Sequence, residues 1–105
     1  MKSNLSLFAA VSLSTLLLAT AASAATPPTY AEVKDIVADN CLSCHSADVA
    51  YGDVVIETEA LLVNFANKAY SEVNSGSMPA GNPDFKDSPE GLTLLAYLKS
   101  VSTTK

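Results

Sequence analysis

The segment CLSCH at positions 41–45 constrains this chain more than any other feature, because it holds both cysteines and the single histidine. On an α-helix, positions i, i+3 and i+4 share a face, so Cys41, Cys44 and His45 would project to the same side of one turn. We therefore expect a helical turn here, with two thiols and an imidazole directed at one neighbouring group.

The pattern C-x-x-C-H is the attachment sequence of a c-type haem. In such a site, two thioether bonds join the cysteine sulfurs to the porphyrin edge, and the histidine supplies an imidazole nitrogen to the iron. We predict one covalently bound haem c, with Cys41 and Cys44 as attachment points and His45 as the proximal iron ligand.

Three other uses of this segment are less well supported by its surroundings. A thioredoxin-like dithiol requires strands and helices in alternation around the C-x-x-C, and no such pattern surrounds it. A structural zinc site takes four ligands, whereas the chain has only three Cys and His residues. A disulfide between Cys41 and Cys44 would close a very small loop and stabilise the fold little.

Residues 1–24 have the pattern of a Sec-type signal peptide, with Lys2 at the start, an apolar stretch over 5–18 and small residues at 22–24. The alternative is an uncleaved membrane anchor, but the stretch contains Ser and Thr and ends in a cleavable sequence. We expect a periplasmic protein without stable membrane insertion after cleavage. Export also agrees with haem attachment, which bacteria carry out outside the cytoplasmic membrane.

Residues 25–105 are expected to form one small, acidic domain. At about 80 residues, a core alone gives only marginal stability, so we expect the haem-free chain to be poorly folded. The whole chain has six Lys plus Arg against eleven Asp plus Glu, which excludes a nucleic-acid binder. This charge would attract basic patches on partner proteins, although solubility alone would also explain it.

Hydrophobic spacing predicts three helices in residues 25–105. The first opens at a capping box, TYAE at 29–32, and carries Val33, Ile36 and Val37 to the segment 41–45. In contrast, positions 49–57 are ambiguous, because their apolar run is too short to indicate a sheet.

Two further helices follow. One runs from 58 or 59 to 75, where Gly76 provides a stop, and the other begins with Ser-Pro-Glu at 88–90. Their expected core positions are Leu61, Leu62, Phe65, Ala69 and Val73 in the former and Leu94, Tyr97, Leu98 and Val101 in the latter.

The sixth position of the iron is assigned by the inventory of ligands. Because His45 is the only histidine, a second histidine ligand from the same chain is excluded. Met78 is the only methionine besides Met1, and it precedes a proline in a loop, where Pro79 favours extended backbone. A gap-filling role is the alternative, but a loop methionine beside Gly, Ser and Pro has little core to fill. We predict Met78 as the distal ligand.

With these elements the chain resembles the small class I cytochromes c of bacteria over nearly all of residues 25–105. The resemblance implies an all-α fold of three to four helices around one haem, with the terminal helices crossed. It also implies His45 and Met78 on opposite haem faces, and transfer of single electrons. The chain departs from the best-known members before the motif, where Val33 and Val37 replace the usual glycine and aromatic residue. The details of the crossing with Tyr97 therefore stay open.

The expected function is that of a monomeric periplasmic electron carrier rather than an enzyme. Its partners would be a periplasmic dehydrogenase or a membrane oxidase or reductase complex, met in small and transient contacts. Two alternatives remain. The chain could be the haem subunit of a dehydrogenase complex, or a five-coordinate haem sensor or peroxidase-like protein in which Met78 does not bind the iron.

Overall fold

The computed structural model of the chain describes residues 26–102, and the signal peptide predicted at 1–24 lies outside them. The described residues are mainly helical, which confirms the all-α expectation. In chain order their elements are α1 (Tyr30–Asn40), α2 (Leu42–His45), β1 (Val49–Ala50), a first 3-10 helix (Tyr51–Asp53), α3 (Glu59–Asn64), α4 (Ala66–Asn74), a second 3-10 helix (Pro83–Asp87) and α5 (Pro89–Val101). None of these helices is both long and apolar enough to cross a membrane.

Helix α1 begins where the sequence predicts, with Thr29 as its N-cap residue. The predicted capping box forms only in part, because the Thr29 hydroxyl donates to the Glu32 carboxylate at 3.4 Å instead of capping a backbone N–H. Val33, Ile36 and Val37 are buried as expected. Their spacing gives α1 one apolar face, which packs against α5.

The helix predicted from 58 or 59 to 75 is divided into α3 and α4 at Phe65. The backbone of Phe65 leaves helical geometry (φ −99°, ψ 7°), and its N–H is shared between the carbonyls of Leu61 and Leu62. This break corrects one core assignment: Leu61 is exposed, since the short helix α3 buries only Leu62. Ala66, which the spacing argument passed over, is buried at the start of α4.

Helix α5 starts at the predicted cap, where the Ser88 hydroxyl accepts from the N–H of Gly91 at 3.0 Å. Leu94, Tyr97 and Leu98 are buried as expected, whereas Val101 is only partly buried. The ring of Tyr97 meets that of Tyr30, with 6.2 Å between centroids and a tilt of 52°. The first and last helices therefore share one core.

The ambiguous stretch 49–57 contains very little strand. β1 forms isolated antiparallel bridges, which pair His45 with Ala50 and Ser46 with Val49. The apolar run at 54–56 belongs to no strand, although Val54 is extended. Its backbone instead contacts His45, as described below.

Candidate functional site

The segment 41–45 forms the helical turn that its spacing predicts. The carbonyl of Cys41 accepts from the N–H groups of Cys44 and His45, at 3.2 and 3.0 Å. The turn is a new helix and does not continue α1, because Cys41 has non-helical backbone angles (φ −125°, ψ −34°). The Asn40 side chain closes the end of α1 by donating to the Ile36 carbonyl at 2.8 Å.

Both thiols of this turn are free and only partly exposed. Burial, together with the neighbouring Cys44, raises the pKa of the Cys41 thiol to about 11. Burial of the Cys41 thiol thus disfavours its thiolate, which is the reactive form of a cysteine. Among residues 26–102, no three or more His, Cys, Asp or Glu side chains are grouped so that they could hold a metal ion.

The imidazole of His45 is oriented by the chain that follows it. Its Nδ1 atom lies 3.3 Å from the carbonyl oxygen of Val54, and its own carbonyl accepts from the N–H of Ile56 at 2.9 Å. In the tautomer that donates from Nδ1 to Val54, the lone pair is on Nε2. An orienting bond of this kind is the usual support of a histidine that binds a metal.

A cavity of about 310 Å³ lies beside this turn, and its wall brings together Cys41, Cys44, His45 and Met78. These are the four residues that the sequence analysis selected, although 33 positions separate His45 from Met78. Most of the remaining wall is apolar and comes from core residues, namely Val37, Val54, Ile56, Leu62, Phe65, Ala69, Val73, Leu94 and Leu98. The cavity is an apolar slot, and the two thiols, the imidazole and the thioether in its wall form a donor set that fits a haem c.

Met78 follows directly after the capped end of α4. Gly76 has a positive φ of 89°, and its N–H donates to the carbonyl of Val73 at 3.1 Å. The N–H of Ser77 donates to the carbonyl of Glu72, also at 3.1 Å, which completes a Schellman motif. The predicted helix stop at Gly76 is thereby confirmed, and the peptide bond from Met78 to Pro79 is cis.

Several polar and aromatic residues of the cavity wall were not selected from the sequence. Lys68 and Glu72 lie one helical turn apart on α4, with 3.9 Å between the Lys68 Nζ and a Glu72 carboxylate oxygen. Their i, i+4 spacing was a detectable signal of a pair, but not of its place beside a cavity. Tyr51 also lines the wall from a turn that no periodicity marks.

No family model, curated protein or solved structure that was compared with this chain matches it. The functional argument below therefore depends on the geometry of the cavity and on the residues in its wall.

Proposed function

We propose that this chain is a small periplasmic c-type cytochrome of the class I kind, which carries one haem c and transfers single electrons between redox proteins. The observation that carries the proposal is the shared cavity, whose wall contains Cys41, Cys44, His45 and Met78 together. Two attachment thiols and two axial ligands account for all four.

The segment 41–45 would hold the group from one side. Cys41 and Cys44 would form the thioether bonds, and Nε2 of His45 would bind the iron while Nδ1 donates to the Val54 carbonyl. A bound haem c supplies an iron that gains and loses one electron. The apolar wall residues exclude water from the iron and so affect its reduction potential.

Met78 would provide the second axial ligand through its thioether sulfur. A methionine opposite a histidine raises the reduction potential of a haem. With His45 and Met78 both bound to it, the iron would have no free position for a substrate or a gas. This arrangement is that of an electron carrier, and it requires no catalytic residue.

The acidic surface would guide the carrier to basic patches on its partners. The chain has a formal net charge of −5, and charges of this size speed the encounter with an oppositely charged surface. Electron transfer to a basic partner is therefore expected to slow as salt is added. Rates that do not depend on ionic strength would argue against this steering.

The proposal is tested by optical spectra of the matured protein and of Met78→Leu, which removes the sulfur and keeps an apolar side chain of similar volume. We expect the ferric parent to show the weak long-wavelength charge-transfer band of sulfur ligation, and Met78→Leu to lack it. A parent without this band would have another sixth ligand or an open site.

Two further measurements separate the proposed carrier from the alternatives. Rapid binding of carbon monoxide by the reduced parent would indicate a five-coordinate sensor or peroxidase-like protein. Elution of the native protein from cell extract at the size of a large complex would indicate a dehydrogenase subunit. A free carrier is expected to elute as a monomer and to bind carbon monoxide slowly.

A further inference from the structure

The carbonyl of Glu72 is the anchor of the segment that leads to Met78. It accepts from the N–H groups of Ser77 and Met78, both at 3.1 Å. The hydroxyl of Ser77 lies at the same distance from this carbonyl and also contacts the Glu72 carboxylate. Backbone and side chain of one residue in α4 thus meet two successive residues of the Met78 segment.

The Ser77 hydroxyl has one hydrogen to donate, and the geometry indicates which acceptor receives it. A carbonyl oxygen has two lone pairs, and the N–H groups of Ser77 and Met78 occupy those of Glu72. The hydroxyl of Ser75 lies 3.2 Å from that of Ser77, but it is a neutral acceptor. The Ser77 hydroxyl therefore donates to the Glu72 carboxylate, in a hydrogen bond that the negative charge strengthens.

This bond occupies the place of a contact that usually supports such a helix end. In a Schellman motif, the residue after the left-handed glycine commonly makes an apolar contact with the residue five positions earlier. Here these two positions are Ser77 and Glu72, which are both polar. The bond between their side chains restrains the chain beyond Gly76, whose positive φ of 89° only glycine adopts readily.

Glu72 is also a residue of the cavity wall, and it is the only acidic residue among the described residues of that wall. Its second partner is Lys68, at 3.9 Å. That distance is long, and the Lys68 side chain is 65% exposed, so the pair contributes little.

We propose that Glu72 and Ser77 are positioning residues for Met78, and that their side-chain bond holds the Met78 thioether where it can bind the iron. The proposal rests on the proposed function, in which Met78 is the distal ligand. In this role neither side chain binds the iron. Both act on Met78 through the backbone of the segment from Gly76 to Met78.

The test is equilibrium binding of imidazole to the ferric, matured protein. Imidazole binds only the fraction of molecules in which Met78 has left the iron, so its apparent affinity measures how firmly the thioether is held. Loss of one such hydrogen bond is expected to tighten imidazole binding about five-fold. This increase is expected for Ser77→Ala and for Glu72→Ala. The double variant is expected to gain little more than either single one, because both remove the same bond.

Matched variants separate positioning from general loosening of the fold. Ser77→Thr keeps the hydroxyl and is expected to bind imidazole like the parent. Valine has the shape of threonine but no hydroxyl, so Ser77→Val is expected to show the five-fold increase in affinity. Ser71→Ala, at an exposed position beside Glu72 and outside the cavity wall, is expected to leave the affinity unchanged.

The outcomes distinguish the two proposals. If the parent binds imidazole as tightly as Met78→Leu does, Met78 is not a ligand and the proposed function fails. If Met78→Leu binds more tightly than the parent but Ser77→Thr and Ser77→Val have equal affinities, only the positioning role is overturned. Thermal unfolding of each variant, followed by circular dichroism, shows whether a change in affinity merely follows a change in stability.

Discussion

The Nδ1 atom of His45 lies 3.3 Å from the carbonyl oxygen of Val54, nine residues further along the chain. The turn before Val54 sets the direction of the Val54 carbonyl. In this turn, the N–H of Val54 donates to the carbonyl of Tyr51 at 3.3 Å. Both central residues of this turn, Gly52 and Asp53, have positive φ, at 66° and 60°. The orientation of the imidazole thus depends on a turn outside the 41–45 segment.

The first prediction concerns Gly52 in that turn. No atom beyond Gly52 and its two chain neighbours lies within 4 Å of a Cβ added there, so Gly52→Ala causes no steric clash with the rest of the described protein. We expect Gly52→Ala to lower the free energy of unfolding in urea by about 1 kcal/mol, because an L-residue is strained at positive φ. Gly52→Asn is the control, since Asn tolerates this region, and it should lose less. Equal losses in both variants would contradict the prediction.

Gly91 is predicted to be required for close contact between α5 and the second 3-10 helix. A Cβ at this position would lie 1.8 Å from the carbonyl oxygen of Phe85, and neither backbone can move aside at little cost. Gly91→Ala is therefore expected to destabilise the protein by about 1–3 kcal/mol or more in urea unfolding.

The sign of that change makes the measurement decisive. Helix propensity alone favours Ala over Gly by about 1 kcal/mol, so a gain in stability would show that no close contact exists at Gly91. Leu92→Ala, at a neighbouring position that is 57% exposed, is the matched control and should change stability little.

Tyr97 combines a well-packed ring with a hydroxyl that has no hydrogen-bond partner among residues 26–102. A buried hydroxyl without a partner is unfavourable, so Tyr97→Phe is expected to leave the stability unchanged or to raise it by about 1 kcal/mol. Tyr97→Ala removes the ring as well and should destabilise the protein by about 3–5 kcal/mol. A loss of more than about 1 kcal/mol in Tyr97→Phe would show that the hydroxyl has a favourable partner.

The same residue predicts how stability depends on alkaline pH. Burial, then the negative charge of Glu59 and the neighbouring Tyr30, raise the pKa of Tyr97 above its ordinary value of 10. Because the pKa of Tyr97 is higher in the folded state, ionisation of its hydroxyl does not affect the free energy of unfolding below pH 10. The free energy of unfolding falls as the pH rises from there through the folded-state pKa. Thermal unfolding from pH 9 upward should show a shallower loss in Tyr97→Phe than in the parent. Parallel curves would contradict the prediction.

Some of these features were predictable because their signals are local. Ser88 and Gly76 mark helix ends through side-chain and backbone chemistry within a few residues, and both ends are where the sequence places them. The break at Phe65 and the contact between Gly91 and Phe85, which are six residues apart, were not predictable, because neither leaves a mark in the spacing of the apolar residues.

The candidate site was likewise predictable only in part: its residues were, but their arrangement was not. Cys41, Cys44 and His45 follow from one short motif, and Met78 follows from the scarcity of other ligands. Their presence in one cavity wall is a property of the fold, as is the place of Glu72 beside them. Helical spacing finds a buried face, but it does not show which buried residues surround a cavity.

The last prediction is that the chain without the proposed haem loses its ordered structure. Without a haem, an apolar cavity of about 310 Å³ would stay unfilled, and unfilled apolar volume destabilises a fold whose whole stability is only about 5–15 kcal/mol. Circular dichroism of Cys41→Ala, Cys44→Ala should show reduced helix content and no cooperative melting. Ser43→Ala, a change at an exposed position in the same turn, should retain the helix content and the cooperative melting of the parent. A double variant with a native-like spectrum would refute this prediction.

The cavity wall joins segments that are widely separated along the chain, from Val37 in α1 to Leu98 in α5. The segment 41–45 spans only five residues, so its two thiols and its imidazole can be neighbours before any tertiary contact exists. The wall, in contrast, exists only after the two terminal helices have met. A group bound here can therefore be linked to a chain that has not folded, and it is enclosed only when folding brings Met78 to it.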